Sequence, residues 1–210
     1  MITCGPVAAE LAAEFPELAL FQITVEARPA KSPAPVKERL RQMSDRFTGP
    51  KAVQVRRQPV PWAYRVFFRQ IGIDPDERHP PPEAFALERM RAGAFHSRNL
   101  LDDAILIATV ETGVPLVAFD RDRVQGDVGL RLAGAGERVG GEGRTLRGGE
   151  IVTADERGPL SVLFEDPAPD RGVTPACRRM LIGALRVKGV PDVSVEEALW
   201  TVSEVLEGGA

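Results

Sequence analysis

Histidine and cysteine are scarce in this chain, which has two of each among 210 residues. His79 and His96 lack the spacing of metal ligands and leave little material for a zinc site or a Ser-His-Asp triad. Cys4 and Cys177 could form one disulfide at most, and no CxxC pattern occurs. We therefore expect no metal and no cofactor.

Long apolar runs are also missing. No stretch approaches the roughly 18 uninterrupted apolar residues of a membrane span, and the N-terminus lacks the basic and apolar regions of a signal peptide. We predict no membrane association and a cytoplasmic location. The GxSxG, Walker A and HExxH patterns are absent, which excludes the most readable hydrolase and nucleotidase classes.

The composition is that of a globular protein, with 43% hydrophobic and 27% charged residues. The net charge of -3 is unevenly distributed. Residues 28–100 hold 15 Lys and Arg against 7 Asp and Glu, whereas residues 1–27 hold four acids and no base. A basic central segment is typical of a surface that binds a polyanion, although a solvated arginine-rich surface would look the same.

The periodicity predicts a mixture of helices and strands. A strand is expected over Leu18–Ala27, and helices over residues 36–47 and Val60–Ile71. In the second helix Arg65 and Arg69 are spaced i,i+4, so we expect both to point out of the core, where they are either solvated or share an anion.

The second half continues this pattern. Glu83–Arg91 is predicted to be helical, and Leu100–Val110 is apolar almost all round, which indicates a buried helix with Ser97 or Asn99 as its N-cap. Ser194-Val-Glu-Glu197 has the form of a capping box that opens a C-terminal helix. Short strands are expected over Leu116–Phe119, Asp127–Ala133, Glu150–Ala154, Leu160–Glu165 and Met180–Val187.

Residues 97–137, SRNLLDDAILIATVETGVPLVAFDRDRVQGDVGLRLAGAGE, carry a specific resemblance. The run resembles the B3/B4 domain of the bacterial phenylalanyl-tRNA synthetase β chain, and the likeness extends over about residues 55–190. The positions that match the family pattern are Asn99, Asp103, Gly113, Pro115, Ala118, Phe119, Asp120, Asp122, Gly126, Arg131, Gly136 and Glu137.

The resemblance implies an α+β fold, B3/B4-like, with a β-sandwich core of unusual topology flanked by helices. It implies an N-terminal extension over 1–50 packed on the core, the B3/B4-like domain over 51–190, and a C-terminal helix over 191–210. In the synthetase this domain hydrolyses tyrosine wrongly esterified to tRNA and needs no metal. The implied function is an aminoacyl-tRNA deacylase acting in trans, with tRNA or aminoacyl-tRNA as the partner.

The residues expected to act follow from this resemblance. Asn99, Asp103 and Asp170 would organise substrate and water. The substrate pocket would be lined by Leu106, Val117, Phe119, Phe164 and Arg171, and the tRNA phosphates would be contacted by Arg65, Arg69, Arg89 and Arg91.

Two departures from the family pattern alter the expected specificity. Val117 stands where the synthetases have histidine, and Leu106 where they have asparagine. The glycine-rich segment whose glutamate recognises the tyrosine hydroxyl is replaced by FEDPAPD around residues 164–170. Tyrosine specificity is therefore not carried over, and an apolar wall would favour a less polar group.

Other interpretations stay open at this point. Asn99 and Asp103 would also serve as caps of the buried helix, because their side chains satisfy free N–H groups at its start. A non-catalytic module that retained the fold would bind RNA, an amino acid or a protein without turnover. A hydrolase of free amino-acid esters would act without any tRNA.

Overall fold

A computed structural model describes residues 1–141 and 143–209 of the chain. The first half is mainly helical. Its elements are β1 (Thr3–Gly5), α1 (Ala9–Glu14), β2 (Ala19–Glu26), α2 (Ala34–Arg46), α3 (Gly49–Gln54), a 3-10 turn (Val55–Arg57), α4 (Pro59–Gln70), α5 (Pro81–Ala92) and α6 (Leu100–Thr112).

The second half supplies most of the strands. Its elements are β3 (Leu116–Asp120), a second 3-10 turn (Arg121–Arg123), β4 (Gly129–Leu132), β5 (Ile151–Asp155), β6 (Gly158–Val162), β7 (Arg179–Arg186) and α7 (Asp192–Gly208). Both halves contribute helices and strands, which confirms the predicted α+β class.

The helix boundaries follow from local chemistry. Helices α2, α3, α4 and α5 each carry proline at one of their first two positions, where the missing N–H costs no hydrogen bond. The N-cap of α6 is Asn99, whose side chain accepts a hydrogen bond from the Asp102 N–H, and its C-cap is Gly113 in the left-handed conformation. The sequence left Ser97 and Asn99 open as the N-cap of α6, and the structure selects Asn99.

Two antiparallel sheets share one core. The first has the strand order β1-β2-β7-β3, and the second has the order β4-β5-β6. Leu130, Ile151 and Leu160 of the second sheet belong to the same buried cluster as Leu20 and Ile182 of the first. Helices α6 and α7 pack on each other, and α7 also packs on β2 and β7.

The C-terminal helix begins earlier than the sequence predicted. Its first residue is Asp192, its N-cap is Pro191, and no side chain caps it. Ser194 lies inside the first turn, where its N–H bonds to the Pro191 carbonyl. The capping-box prediction was therefore wrong, because the rigid Pro191 and the acidic Asp192 already start the helix.

Both ends of the described chain enter the central core. Strand β2 is an inner strand between β1 and β7, and α7 covers the sheet that they form. The division of the chain at residues 50 and 190 stays a prediction. No helix in residues 1–141 and 143–209 is long and apolar enough to cross a membrane.

Candidate functional site

A cavity of about 590 Å³ lies where α5 and α6 meet both sheets. The helix side is lined by Pro81 and Phe85 of α5 and by Ile105 and Leu106 of α6. The opposite side is lined by residues of the two sheets and of the turn after β6, among them Leu20, Val117, Thr153, Ser161, Leu163, Gly183 and Leu185. This volume falls in the range of small-molecule sites.

The strand-side wall has a glycine at its centre. Gly183 of β7 lies opposite Val117 of β3 in the register. A Cβ on Gly183 would come within 3.2 Å of Val117 Cγ1 and 3.3 Å of Leu20 Cδ1. The absence of a side chain at Gly183 therefore preserves space between two apolar side chains.

Asp103 lies in the first turn of α6 at the cavity wall and is almost completely buried. Its carboxylate accepts hydrogen bonds from Ser32 Oγ at 2.5 Å, Ser97 Oγ at 2.6 Å and the Arg98 N–H at 2.9 Å. These donors join three separate positions to the start of α6. The observed role of Asp103 is therefore to hold this corner of the fold together.

Hydroxyl groups bring polarity into the apolar cavity. Thr153 of β5 and Ser161 of β6 are paired across the second sheet, and both line the cavity. Thr109 of α6 lines it as well, and its buried Oγ1 has no hydrogen-bond partner among the described residues. An unpaired buried hydroxyl is costly in a folded protein unless a ligand or water completes it.

Charged side chains and one imidazole also line the cavity. His96, Arg98, Asp102, Glu165 and Asp166 all belong to its lining. His96 and Arg98 precede α6, whereas Glu165 and Asp166 follow β6. His96 is therefore the one histidine at the cavity, since His79 bonds the Pro75 carbonyl and does not line it.

Phe164 forms part of the cavity wall in a strained backbone conformation. Its φ of 61° lies in the left-handed region, which aromatic residues rarely adopt. The ring packs on Phe68 with centroids 4.6 Å apart, and the Phe164 carbonyl accepts a hydrogen bond from Arg78. Strain of this kind persists where the surrounding packing holds it, and it concentrates at functional sites.

Two of the three residues predicted to be catalytic lie outside the cavity lining. Asn99 caps α6. Asp170 accepts a hydrogen bond from the Gly141 N–H and pairs with Arg171, so it fixes the backbone at Gly141. The structure therefore places only Asp103 of this trio at the cavity.

Two predicted pocket residues are also placed elsewhere. Phe119 is buried in the main core, and Arg171 is buried with its guanidinium donating to the Arg123 carbonyl and lying 3.6 Å from Asp155. Neither contributes to the cavity lining, whereas Leu106, Val117 and Phe164 do.

Arg65 is not on the surface, and this corrects the expectation that it points out of the core with Arg69. It is 4% exposed and bonds Glu83 of α5 at 2.7 Å and Asp76 at 2.5 Å. The Arg65 guanidinium lowers the pKa of Asp76, chiefly by hydrogen bonding, whereas burial raises the pKa of Glu83. Arg65 therefore has its anionic partners inside the protein.

The other three predicted phosphate-binding arginines differ in exposure. Arg69 is half exposed, and Arg91 is exposed at the end of α5. Arg89 is partly buried and donates to the Ser44 carbonyl of α2. Arg69 and Arg91 remain accessible, whereas Arg89 connects two helices.

The described residues offer neither a cluster of metal ligands nor a reactive thiol. No group of three or more His, Cys, Asp and Glu side chains is arranged to hold a metal ion in residues 1–141 and 143–209. The Cys177 thiol donates to the Arg179 carbonyl, and burial raises its pKa to about 11. A thiol so placed stays protonated near neutral pH and is a poor nucleophile.

The segment that builds most of this cavity also matches a known family. Residues 63–166 match the model of the B3/4 domain. The chain is a B3/4-domain protein. The matched residues include α5, α6, β3, β5 and β6, so the B3/4 domain supplies the helix side of the cavity and much of its strand side.

Relatives of the B3/4 domain occur in a much larger enzyme. The chain is 35% identical over 94 residues to the phenylalanine–tRNA ligase beta subunit of Streptomyces avermitilis, covering 43% of this chain and 11% of that subunit. It is 30% identical over 114 residues to the subunit of Xanthomonas oryzae pv. oryzae, covering 53% and 14%. The chain therefore spans only about a tenth of the length of these relatives.

Several residues shared with the family pattern have structural roles in this B3/4 domain. Arg131 and Glu137 form a bidentate pair with N–O distances of 2.8 and 2.9 Å, and Glu137 also accepts from the Gly134 N–H. Gly113 and Gly126 have positive φ, and a Cβ on either would collide with Pro61 or Glu156. Much of the recognisable motif therefore maintains the fold.

Sequence reasoning missed several cavity residues. Thr109, Thr153 and Ser161 lie at inward positions, and the one available signal was a polar residue within an apolar run. His96 is exposed, its ring contacts the Ala92 carbonyl, and its local sequence does not indicate that it lines a cavity. These assignments required the tertiary structure.

Proposed function

We propose that this protein binds tRNA and hydrolyses mischarged aminoacyl-tRNA in trans, with the aminoacyl group in the cavity. The observation that carries the proposal is an apolar cavity of about 590 Å³ built largely by the B3/4 domain, with hydroxyl groups in its wall. The resemblance to the editing domain of the synthetase supplies the reaction class.

Hydrolysis of an aminoacyl ester requires few catalytic groups from the protein. Water adds to the ester carbonyl carbon, the bond to the ribose oxygen breaks, and that oxygen receives a proton. Because an aminoacyl ester is already activated, positioned donors and an ordered water can supply most of the acceleration. The hydroxyls of Thr109, Thr153 and Ser161 are among the donors that line the cavity.

The cavity wall favours an apolar aminoacyl side chain. Leu106 and Val117 face the space where the synthetases have polar residues, and Gly183 leaves room beside Val117. A substrate hydroxyl placed against Leu106 and Val117 finds no hydrogen-bond partner on those side chains. We expect aliphatic aminoacyl esters to be cleaved faster than tyrosyl esters, and the reverse order would contradict this specificity.

A panel of correctly charged and mischarged aminoacyl-tRNAs, treated with catalytic amounts of the protein, tests the proposal. Filling the cavity with Val117→Phe should abolish release of the amino acid. The control Val193→Phe introduces the same ring at a position that is 67% exposed on α7. Survival of every ester at its spontaneous rate would refute the deacylase function.

His96 is the side chain best suited to pass a proton at this site. It lines the cavity, and imidazole is the most common general base. We expect His96→Gln to slow cleavage about 100-fold or more. His79→Gln is the matched control, because His79 contacts the Pro75 carbonyl outside the cavity, and equal rates in the two variants would exclude this role.

One observation favours a second candidate function, a binding module without turnover. Asn99 and Asp170 do not line the cavity, and the Asp103 carboxylate already accepts three hydrogen bonds. A module of this kind would bind tRNA with an affinity that falls with salt but would release no amino acid. Multiple turnovers at substoichiometric protein separate the two functions.

A further inference from the structure

One stretch of the chain contains no acidic residue and carries several exposed cations. Residues 46–73 contain no Asp or Glu and carry six cationic residues, which are Arg46, Lys51, Arg56, Arg57, Arg65 and Arg69. Arg65 is buried in its ion pairs, and the other five are exposed. This segment comprises α3, the first 3-10 turn and α4, and most of it precedes the span that matches the B3/4 model.

The exposed cations lie near one another. Arg69 Nη2 lies 3.8 Å from Asp76 Oδ2, and the 3-10 turn that holds Arg56 packs against α4, which carries Arg69. The pKa of Asp76 is lowered chiefly by Arg65 and further by Arg69 and Arg56. Arg57 adjoins Arg56 in the 3-10 turn, which packs against α3, α4 and α5. Asp76 offsets one of these charges and leaves the surface with an excess of positive charge.

An exposed aromatic ring completes this surface. Trp62 of α4 is 47% exposed, and the Arg69 guanidinium lies 5.9 Å from its ring centroid. Val66, between them on the same helix, is 38% exposed. A tryptophan beside arginines is a combination that binds single-stranded nucleic acid, because bases stack on the ring while the cations contact phosphates.

This surface adjoins the cavity. Helix α5 lines the cavity with Pro81 and Phe85 and packs on its other sides against α3 and the 3-10 turn. One helix, roughly 10 Å across, therefore separates the basic segment from the cavity. A few unpaired nucleotides span this distance.

We propose that Trp62, Arg56, Arg57 and Arg69 form a binding surface for the unpaired 3′ end of tRNA, with the Trp62 ring stacked on a base. The inference rests on the proposed function for the position of the ester, and it adds the residues that deliver the ester to the cavity. The occupant we infer is RNA, because RNA supplies both the phosphates that match the excess of exposed cations and the bases that stack on an exposed indole ring.

The test measures binding of uncharged tRNA to the full chain by fluorescence anisotropy over a range of salt concentrations. Arg56→Gln with Arg57→Gln should reduce the slope of log Kd against log salt by about 1.5, since each phosphate contact on a single strand contributes about 0.7. Arg147→Gln with Arg157→Gln is the matched control, because both residues are exposed in the second half of the chain. Equal slopes in the two double variants would overturn the proposal.

Substitution of the ring gives an independent measurement. Trp62→Ala should weaken tRNA binding at least about fivefold, whereas Trp200→Ala, at a ring 54% exposed on α7, should leave it unchanged. Removal of the unpaired 3′ nucleotides from the tRNA should erase the effect of Trp62→Ala. A persistent effect on trimmed tRNA would overturn the assignment of Trp62 to an unpaired base.

The outcome is separable from that of the deacylase proposal. Binding that depends on Trp62 and Arg56 without release of amino acid supports this surface and refutes hydrolysis. Hydrolysis that is insensitive to these substitutions refutes the surface alone. Sedimentation that shows a dimer lost in Trp62→Ala would identify a second copy of the chain as the occupant and would also overturn the proposal.

Discussion

Two buried polar side chains of α6, one near each end of the helix, differ in whether their polar atoms have hydrogen-bond partners. Asp103 in the first turn and Thr109 in the third both line the cavity and are almost completely buried. Asp103 accepts hydrogen bonds from three donors, whereas the Thr109 hydroxyl has no partner among the described residues. Burial alone therefore does not identify a functional side chain, and the partners of each polar atom separate structural groups from those available to a ligand.

The largest effect on stability is expected at α4, which carries one buried and one exposed arginine. Arg65→Met should lower the free energy of unfolding by about 3 kcal/mol, because it leaves the buried Glu83 carboxylate without its cation. Arg69→Met, at the exposed end of the same helix, should change it by less than about 0.5 kcal/mol. Urea denaturation measures both. Addition of Glu83→Met to Arg65→Met should recover most of the loss, and no recovery would contradict the pairing argument.

A smaller loss is expected at the start of α6. Asp103→Ala should cost about 2 kcal/mol, because Ser32 Oγ and the Arg98 N–H lose their acceptor. Asp102→Ala in the same turn removes an exposed carboxylate and should cost less than about 1 kcal/mol. Equal urea midpoints for these two variants would show that the three hydrogen bonds of Asp103 do not stabilise the fold.

Substitution of Thr109 is expected to raise the free energy of unfolding rather than lower it. Thr109→Val removes an unpaired hydroxyl and keeps the side-chain shape, so it should raise the free energy of unfolding by about 1 kcal/mol while slowing ester cleavage. Thr112→Val is the matched control, because the Thr112 hydroxyl donates to the Ala108 carbonyl and accepts from the Val114 N–H. That control should lose about 1 kcal/mol. Destabilisation by both substitutions would reject the distinction between the two threonines.

The smallest effect is expected on the pH dependence of stability, at the partly exposed ion pair between Arg131 and Glu137. Hydrogen bonds from Arg131 lower the pKa of Glu137 below its usual value of 4.5. A carboxyl group with a lowered pKa stabilises the fold above its unfolded pKa, and this contribution disappears as the pH falls below about 4.5. Because both side chains are about one-third exposed, we expect less than about 1 kcal/mol. The stability difference between wild type and Glu137→Gln should shrink between pH 6 and pH 3, and a constant difference would exclude this linkage.

Local chemistry allowed much of the fold to be predicted. The apolar run of α6, its asparagine cap and its terminal glycine are all encoded within a short window, and the structure confirms that helix. The alternating strands and proline-initiated helices depend on equally local signals. These elements were predictable because their boundaries are fixed by residues that lie within a few positions.

The site was less predictable because its partners are distant in sequence. Helical periodicity placed Arg65 outside the core, but Glu83 from α5 draws Arg65 into the interior. The resemblance placed Asp170 at the site, yet its carboxylate accepts a hydrogen bond from the Gly141 N–H instead. The exposure of a charged side chain depends on which residue pairs with it. The sequence of one helix does not indicate a partner that lies on another helix.

The position of β7 sets the order in which this molecule can be completed. Its residues Arg179–Arg186 pair with Ala19–Glu26 on one side and with Leu116–Asp120 on the other, so they join strands made far apart in time on the ribosome. Before β7 arrives, β2 and β3 each present an open edge that can pair with another nascent chain. Synthesis of β7 therefore joins β2 to β3, covers the facing edge of each strand, and adds Gly183 and Leu185 to the strand-side wall of the cavity in one late step.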